Sequence, residues 1–105
     1  MKKYVVKLTE EAKQDRKSLA HFIKEEVHAP LTAKLYMQGL KEEISRLENS
    51  AGSLAVDEEL SRQFGIEVRR TKYKSMAIIY SVEEETAYVH HIIPEKMIVF
   101  PINQE

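Results

Sequence analysis

Apolar positions recur at helical spacing through the first half of the chain and at every second residue through the latter part, so the pattern predicts helices followed by strands. Ahead of the helices, Tyr4 to Leu8 carries two adjacent valines between lysines and predicts a short strand. Thr9 then opens a helix. Its hydroxyl can accept from a free amide of the first turn, and Glu10 and Glu11 complement the helix dipole. Ala12, Asp15, Leu19, Phe22, Ile23 and Val27 follow at helical intervals, which predicts a helix from about Thr9 to Val27. His28-Ala29-Pro30 interrupts the stripe, and Pro30 suits the first turn of a second helix. That helix buries Ala33, Tyr36, Met37, Leu40, Ile44 and Leu47 and ends at Asn49-Ser50-Ala51-Gly52. Gly39 inside it costs about 1 kcal/mol against alanine and is read as a close helix crossing. So short a break predicts that the two helices fold back as an antiparallel hairpin.

Residues 53–65 mix small, acidic and apolar types and read as a loop, in which Asp57 to Leu60 could form one helical turn. Period two then predicts strands over Ile66 to Tyr73, Met76 to Val82 and Thr86 to Ile93. They are joined by a tight turn at Lys74-Ser75 and a charged tip at Glu83-Glu84-Glu85. Pro94 ends the last strand, and Met97 to Ile102 is an apolar tail broken by Pro101. The expected architecture is α+β in two layers, of order β-α-α-β-β-β. An antiparallel helical hairpin packs on one face of a four-stranded, mainly antiparallel sheet.

Length confines this to one domain, residues 1–105, and 43% apolar with 31% charged residues suffices for a modest core under a solvated surface. The absence of cysteine excludes disulfides, thiolate zinc sites and a thiol nucleophile. Lysines break up the amino terminus too much for a signal peptide, and no apolar stretch approaches the roughly 20 residues of a membrane span, so a soluble cytoplasmic protein is expected. A net charge of −1 exerts no global attraction on nucleic acid, which leaves that role to local clusters.

Enzymatic motifs are scarce. His21 and His28 stand about 10 Å apart along one helix, too far to share a metal, and His90 and His91, adjacent in a strand, are expected on opposite sheet faces. No serine lies in a nucleophile elbow, and three isolated glycines make no phosphate loop. The acidic runs read as solvated surface, and Tyr80 and Tyr88 as core or sheet-surface residues. One local feature stands out: Arg69-Arg70-Thr71-Lys72-Tyr73-Lys74 puts four cations and an aromatic into six residues. Arg70 and Lys72 on one sheet face could hold a phosphate or an acidic partner residue, with Tyr73 stacking beside them. Equally, the cations could protect an edge strand or pair with Glu67 and the acidic hairpin tip.

From about Tyr4 to Lys96 the chain resembles the RelE/ParE superfamily, the toxins of type II toxin-antitoxin modules. The resemblance is carried by Val6 to Asp15, by Ala33 to Leu40 with its Tyr36, and above all by Gly65-Ile66-Glu67-Val68-Arg69-Arg70 leading through Tyr73 into Ser75 to Val82. It implies the same helical hairpin on an antiparallel sheet, and two mechanisms. RelE-like members cleave messenger RNA on the ribosome; in that case Arg69, Arg70, Lys72 and Lys96 would take phosphate and transition-state roles, with Tyr80 as the candidate base. ParE-like members poison DNA gyrase by binding it. Where many members carry a histidine, one residue and an arginine after the last strand, this chain reads Pro94-Glu95-Lys96, and proline supplies no proton while lysine lacks the guanidinium fork. The ParE-like branch is therefore the expectation, with a homologue that has lost toxicity but still binds its antitoxin as a further possibility.

The resemblance implies a cognate antitoxin whose carboxy-terminal segment orders on the toxin, giving a hetero-oligomer. The residues expected to meet it are Leu19, Phe22 and Ile78, each of which could equally belong to the core, with Arg69, Arg70 and Lys72 receiving acidic side chains. The resemblance implies no cofactor, no metal and no membrane role.

Overall fold

The structure, a computed structural model, describes residues 3–27 and 30–98. The break at His28-Ala29 and the tail from Val99 onward lie outside the described residues. β1 (Val5–Leu8) runs directly into α1 (Glu10–Val27), followed by α2 (Pro30–Ser45), the single turn α3 (Leu47–Ser50) and α4 (Glu58–Phe64). β2 (Arg69–Tyr73), β3 (Met76–Glu83), β4 (Thr86–Pro94) and a 3-10 turn at Glu95–Met97 complete the order. The sheet runs β1-β4-β3-β2; β1 lies parallel to β4, and the remaining pairs are antiparallel. This is the expected α+β fold.

The strand-to-helix junction is built by Thr9. Its hydroxyl accepts from the Ala12 amide at 3.2 Å and donates to the His90 carbonyl at 3.4 Å, while its own amide donates to the Val89 carbonyl. The cap therefore also ties α1 to β4. Between the helices and the sheet, Ala12, Leu40, Ile44 and Leu47 pack on Met76, Ile78, Tyr80, Ala87, Val89 and Ile92 in the main core.

Four local readings are corrected. The segment 53–65 is not a loop throughout. Asp57 caps α4 by accepting from the Leu60 amide at 3.0 Å, and Gly65, at φ 78°, closes it in the left-handed conformation that glycine adopts most readily. Leu60 of this helix meets Val68 and Ile79 on the other sheet face, forming a second, smaller core. β2 begins only at Arg69, because Val68 spends its backbone elsewhere: its amide donates to Ser61 Oγ at 2.8 Å and its carbonyl accepts from Asp57. The second helix stops at Ser45, and the chain re-aims through Arg46 so that Leu47 and Ala51 both enter the core. Gly39 faces β2 and not α1: a Cβ there would overlap the Tyr73 hydroxyl and lie 2.9 Å from its Cζ.

A bulge in β4 accounts for the histidines. Ile79 pairs with His91 and Tyr80 with Val89, which leaves His90 as the extra residue. The bulge turns both imidazoles toward the α4 side: His90 Nε2 shares a hydrogen bond of 2.8 Å with Ser81 Oγ, and His91 lies tilted against the Phe64 ring. They are thus not on opposite faces.

Candidate functional site

Arg69 and Arg70, neighbours in β2, are separated by the pleat. On the helix side, Arg69 Nη1 donates to the carbonyls of Ala51, Gly52 and Leu54 at 3.3, 3.0 and 2.9 Å. These are free carbonyls just beyond α3, where cationic charge also complements the helix dipole. On the opposite side, Arg70 pairs with Asp57 at 3.3 Å, and Lys72 with Glu95 at 3.5 Å. Three of the four cations of the cluster are therefore engaged within the chain, two with carboxylates other than Glu67 and the hairpin tip and one with carbonyls, while Lys74, just beyond β2, lies 5.6 Å from the Tyr73 ring centroid.

Tyr80 sits opposite Arg69 in the ladder, wholly buried, and its hydroxyl donates to the Ala51 carbonyl at 2.8 Å. Burial pushes its pKa up to about 12, with Arg69 pulling it down and Tyr4 raising it. A phenol that is buried, donating and so weakly acidic does not serve as a base near neutrality. Tyr73 is likewise structural. Its hydroxyl donates to the Tyr36 carbonyl at 2.9 Å and the two rings meet edge to face, with burial raising both pKa values. Ile78 is fully buried in the main core, the other of its two expected places, and has no exposed surface in this structure.

Leu19 and Phe22 fare differently. Both line an open, mostly apolar groove of about 600 Å³ between α1, the start of α2 and the ends of β3 and β4. Ile23, Tyr36, Met76 and Ile92 contribute to its walls, and Asp15 and Lys96 are its charged members. Phe22 is 59% exposed, and Leu31 and Leu35 on α2 are also exposed. Asp15 is held by β4 where β1 has already ended: its carboxylate accepts from the otherwise free Ile92 amide at 3.1 Å and meets His91 Nδ1 at 3.3 Å. The structure thus brings Leu19, Phe22 and Lys96 together at the groove and leaves Arg69, Arg70, Lys72 and Tyr80 elsewhere. Sequence reading missed Met76, Ile92 and Pro94 as groove walls. The signal present in the sequence, Leu19, Phe22 and Ile23 in the α1 stripe, marks its α1 wall alone.

Among the described residues no group of three or more histidine, aspartate or glutamate side chains could hold a metal, and no helix is long and apolar enough to cross a membrane. A family model described as the ParE toxin of the type II toxin-antitoxin system parDE matches residues 6–99. The chain belongs to the ParE toxin family. Among solved structures, a chain of the chromosomal ParDE toxin-antitoxin system from P. aeruginosa superposes with a TM-score of 0.73 at 16% identity, covering 87% of this chain and 95% of that one. Among curated proteins, none matches by sequence. In this ParE toxin Arg69, the first arginine of β2, is committed to closing the chain behind α3.

Proposed function

We propose that this ParE-type toxin acts in the cytoplasm by binding DNA gyrase, and that a cognate antitoxin neutralises it by laying an apolar helix into the groove of Leu19 and Phe22. The observation that carries a binding mechanism is the engagement of Arg69, Arg70 and Lys72 by partners within the chain, together with the burial of Tyr80. In-line attack by a ribose hydroxyl needs a base within reach and free cations for the developing charge. Around the basic strand Tyr80 is buried, and among the described residues only Lys74 of the four cations lacks a carboxylate or carbonyl partner. For the antitoxin, an exposed aromatic and a row of aliphatics in a concave, mostly apolar wall suit the helix-in-groove mode, where anchors recur at i, i+3, i+4 and i+7.

The test is induced expression in bacteria without the antitoxin, following DNA and protein synthesis together. Early failure of DNA synthesis with filamentation supports gyrase poisoning. Arrest of translation with messages cut inside codons replaces it by ribosome-dependent cleavage, and normal growth marks a homologue that only binds its antitoxin.

A further inference from the structure

We propose that the outer furrow between α1 and α2 is a second docking surface, built to take an acidic amphipathic helix of a partner protein. Two shallow depressions run end to end along this seam and share Ala20 and Met37 in their lining. Arg16, Lys17 and Lys24 stand on the α1 wall, and Lys34 and Lys41 on the α2 wall. All five are exposed, and among the described residues none of them makes an ion pair. Among the described residues no carboxylate lines the furrow, although α1 and α2 carry several. Of these, Glu10 pairs with Lys13, Glu43 with Arg46, and Asp15 with the β4 edge. Charge is therefore segregated: a chain of net charge −1 concentrates unpaired cations along one seam.

Shape and charge together select the occupant. Ala20, Ala33 and Met37 form a low apolar floor, and small residues between two packed helices let a third helix approach closely. Within each wall, Lys17 and Lys24, or Lys34 and Lys41, are seven residues apart, about two turns or 10 Å. Acidic side chains repeating every two turns along both flanks of a helix would meet them, while its apolar stripe covers the floor. Nucleic acid fits less well: no aromatic lines the furrow to stack a base, and Glu42 stands next to Lys41 at an adjoining depression. The furrow shares no lining residue with the groove of Leu19 and Phe22, so both can be filled at once. This surface does not depend on the gyrase reading.

The test titrates the full chain with a fluorescein-labelled peptide of about 18 residues. It carries Leu and Ala at i, i+3, i+4 and i+7 and glutamates on both flanks, and binding is read by anisotropy at about 50 mM salt. Saturable binding is expected, weakened at least about tenfold by the double variant Lys24→Glu/Lys34→Glu and by the independent pair Lys17→Glu/Lys41→Glu, and unaffected by Phe22→Glu. A peptide of the same composition with its stripe scrambled should bind at least about tenfold more weakly. Equal binding of the scrambled peptide, binding unmoved by either charge reversal, or loss with Phe22→Glu each overturns the proposal. So does a duplex of about 20 base pairs that displaces the peptide, which would make the furrow a nucleic-acid surface.

Discussion

Arg69 and Tyr80 face each other across the β2–β3 ladder and donate to the same acceptor, the carbonyl of Ala51, at 3.3 and 2.8 Å. One oxygen at the end of α3 thus fixes the strand that carries the basic cluster against the helical layer. A charged donor and a buried phenol on one carbonyl form a connected network, in which losing either member leaves the other's geometry unsupported.

Arg69→Ala should accordingly act through stability. Three carbonyls lose a charge-assisted donor, and a cost of about 2–3 kcal/mol is expected, with Arg69→Lys intermediate because it keeps the charge but not the fork. Urea denaturation followed by circular dichroism measures this. A variant as stable as the parent but unable to arrest growth would instead give Arg69 a direct role at the target.

Tyr80 makes the fold sensitive to alkali. Its pKa in the folded state lies at about 12, above the ordinary value of 10, so its contribution is intact below pH 10 and is lost as pH rises through about 12. Tyr80→Phe should cost about 1–2 kcal/mol at neutral pH and flatten the fall in stability above pH 10. Thermal melts between neutral and alkaline pH compare the two proteins.

At the acid end His90 has the opposite sense. Burial, then the neighbouring His91, lowers its pKa below 6.5, with Glu11 pulling weakly the other way. Its neutral form favours the folded state above pH 6.5, and that stabilisation is lost as pH falls through the depressed value. The histidine should titrate below 6.5 by NMR; a pKa above that value would contradict the buried setting.

Gly39→Ala tests the contact between α2 and β2. Helix propensity alone favours alanine by about 1 kcal/mol, yet the added methyl collides with Tyr73, and a net loss of about 1–3 kcal/mol is expected. Combining it with Tyr73→Phe removes the nearest clashing atom, so the double variant should be more stable than the sum of the single effects implies. Simple additivity would show that the two residues do not meet.

Phe22→Glu should leave stability within about 0.5 kcal/mol, since the ring is 59% exposed, while weakening antitoxin binding by about 2 kcal/mol or more. Competition between the variant and parent toxins for one antitoxin separates the two effects. Equal competition would move the antitoxin off this groove.

The sequence was informative wherever a periodicity ran for several turns or a full strand. α1, β3 and β4 emerged close to their observed limits, and the Thr9 cap was visible from its hydroxyl and the two glutamates that follow. α4 was obscured because two apolar positions, Leu60 and Phe64, are too few to show a period, although Asp57 and Gly65 bracket it with a cap at each end. The β4 bulge left no mark at all, since alternation cannot reveal an extra residue whose cause lies in its pairing. The basic strand was half legible for a similar reason. Its charge was legible, but the partners that engage it, the carbonyls after α3, Asp57 and Glu95, lie 13 to 23 residues away and are brought together only by the fold.

The parallel pairing of Val5–Leu8 with β4 couples the birth of this protein to its completion. The chain's opening strand has no place in the sheet until residues Thr86 to Val89 exist to receive it, a closure spanning about eighty residues. A nascent or truncated chain lacking β4 leaves β1 without a neighbour, Thr9 without the Val89 and His90 carbonyls, and Asp15 without an amide to hold. Completion of β4 is therefore the step that closes the sheet, ties down the α1 cap and anchors Asp15 together, and a chain interrupted before it has none of the three.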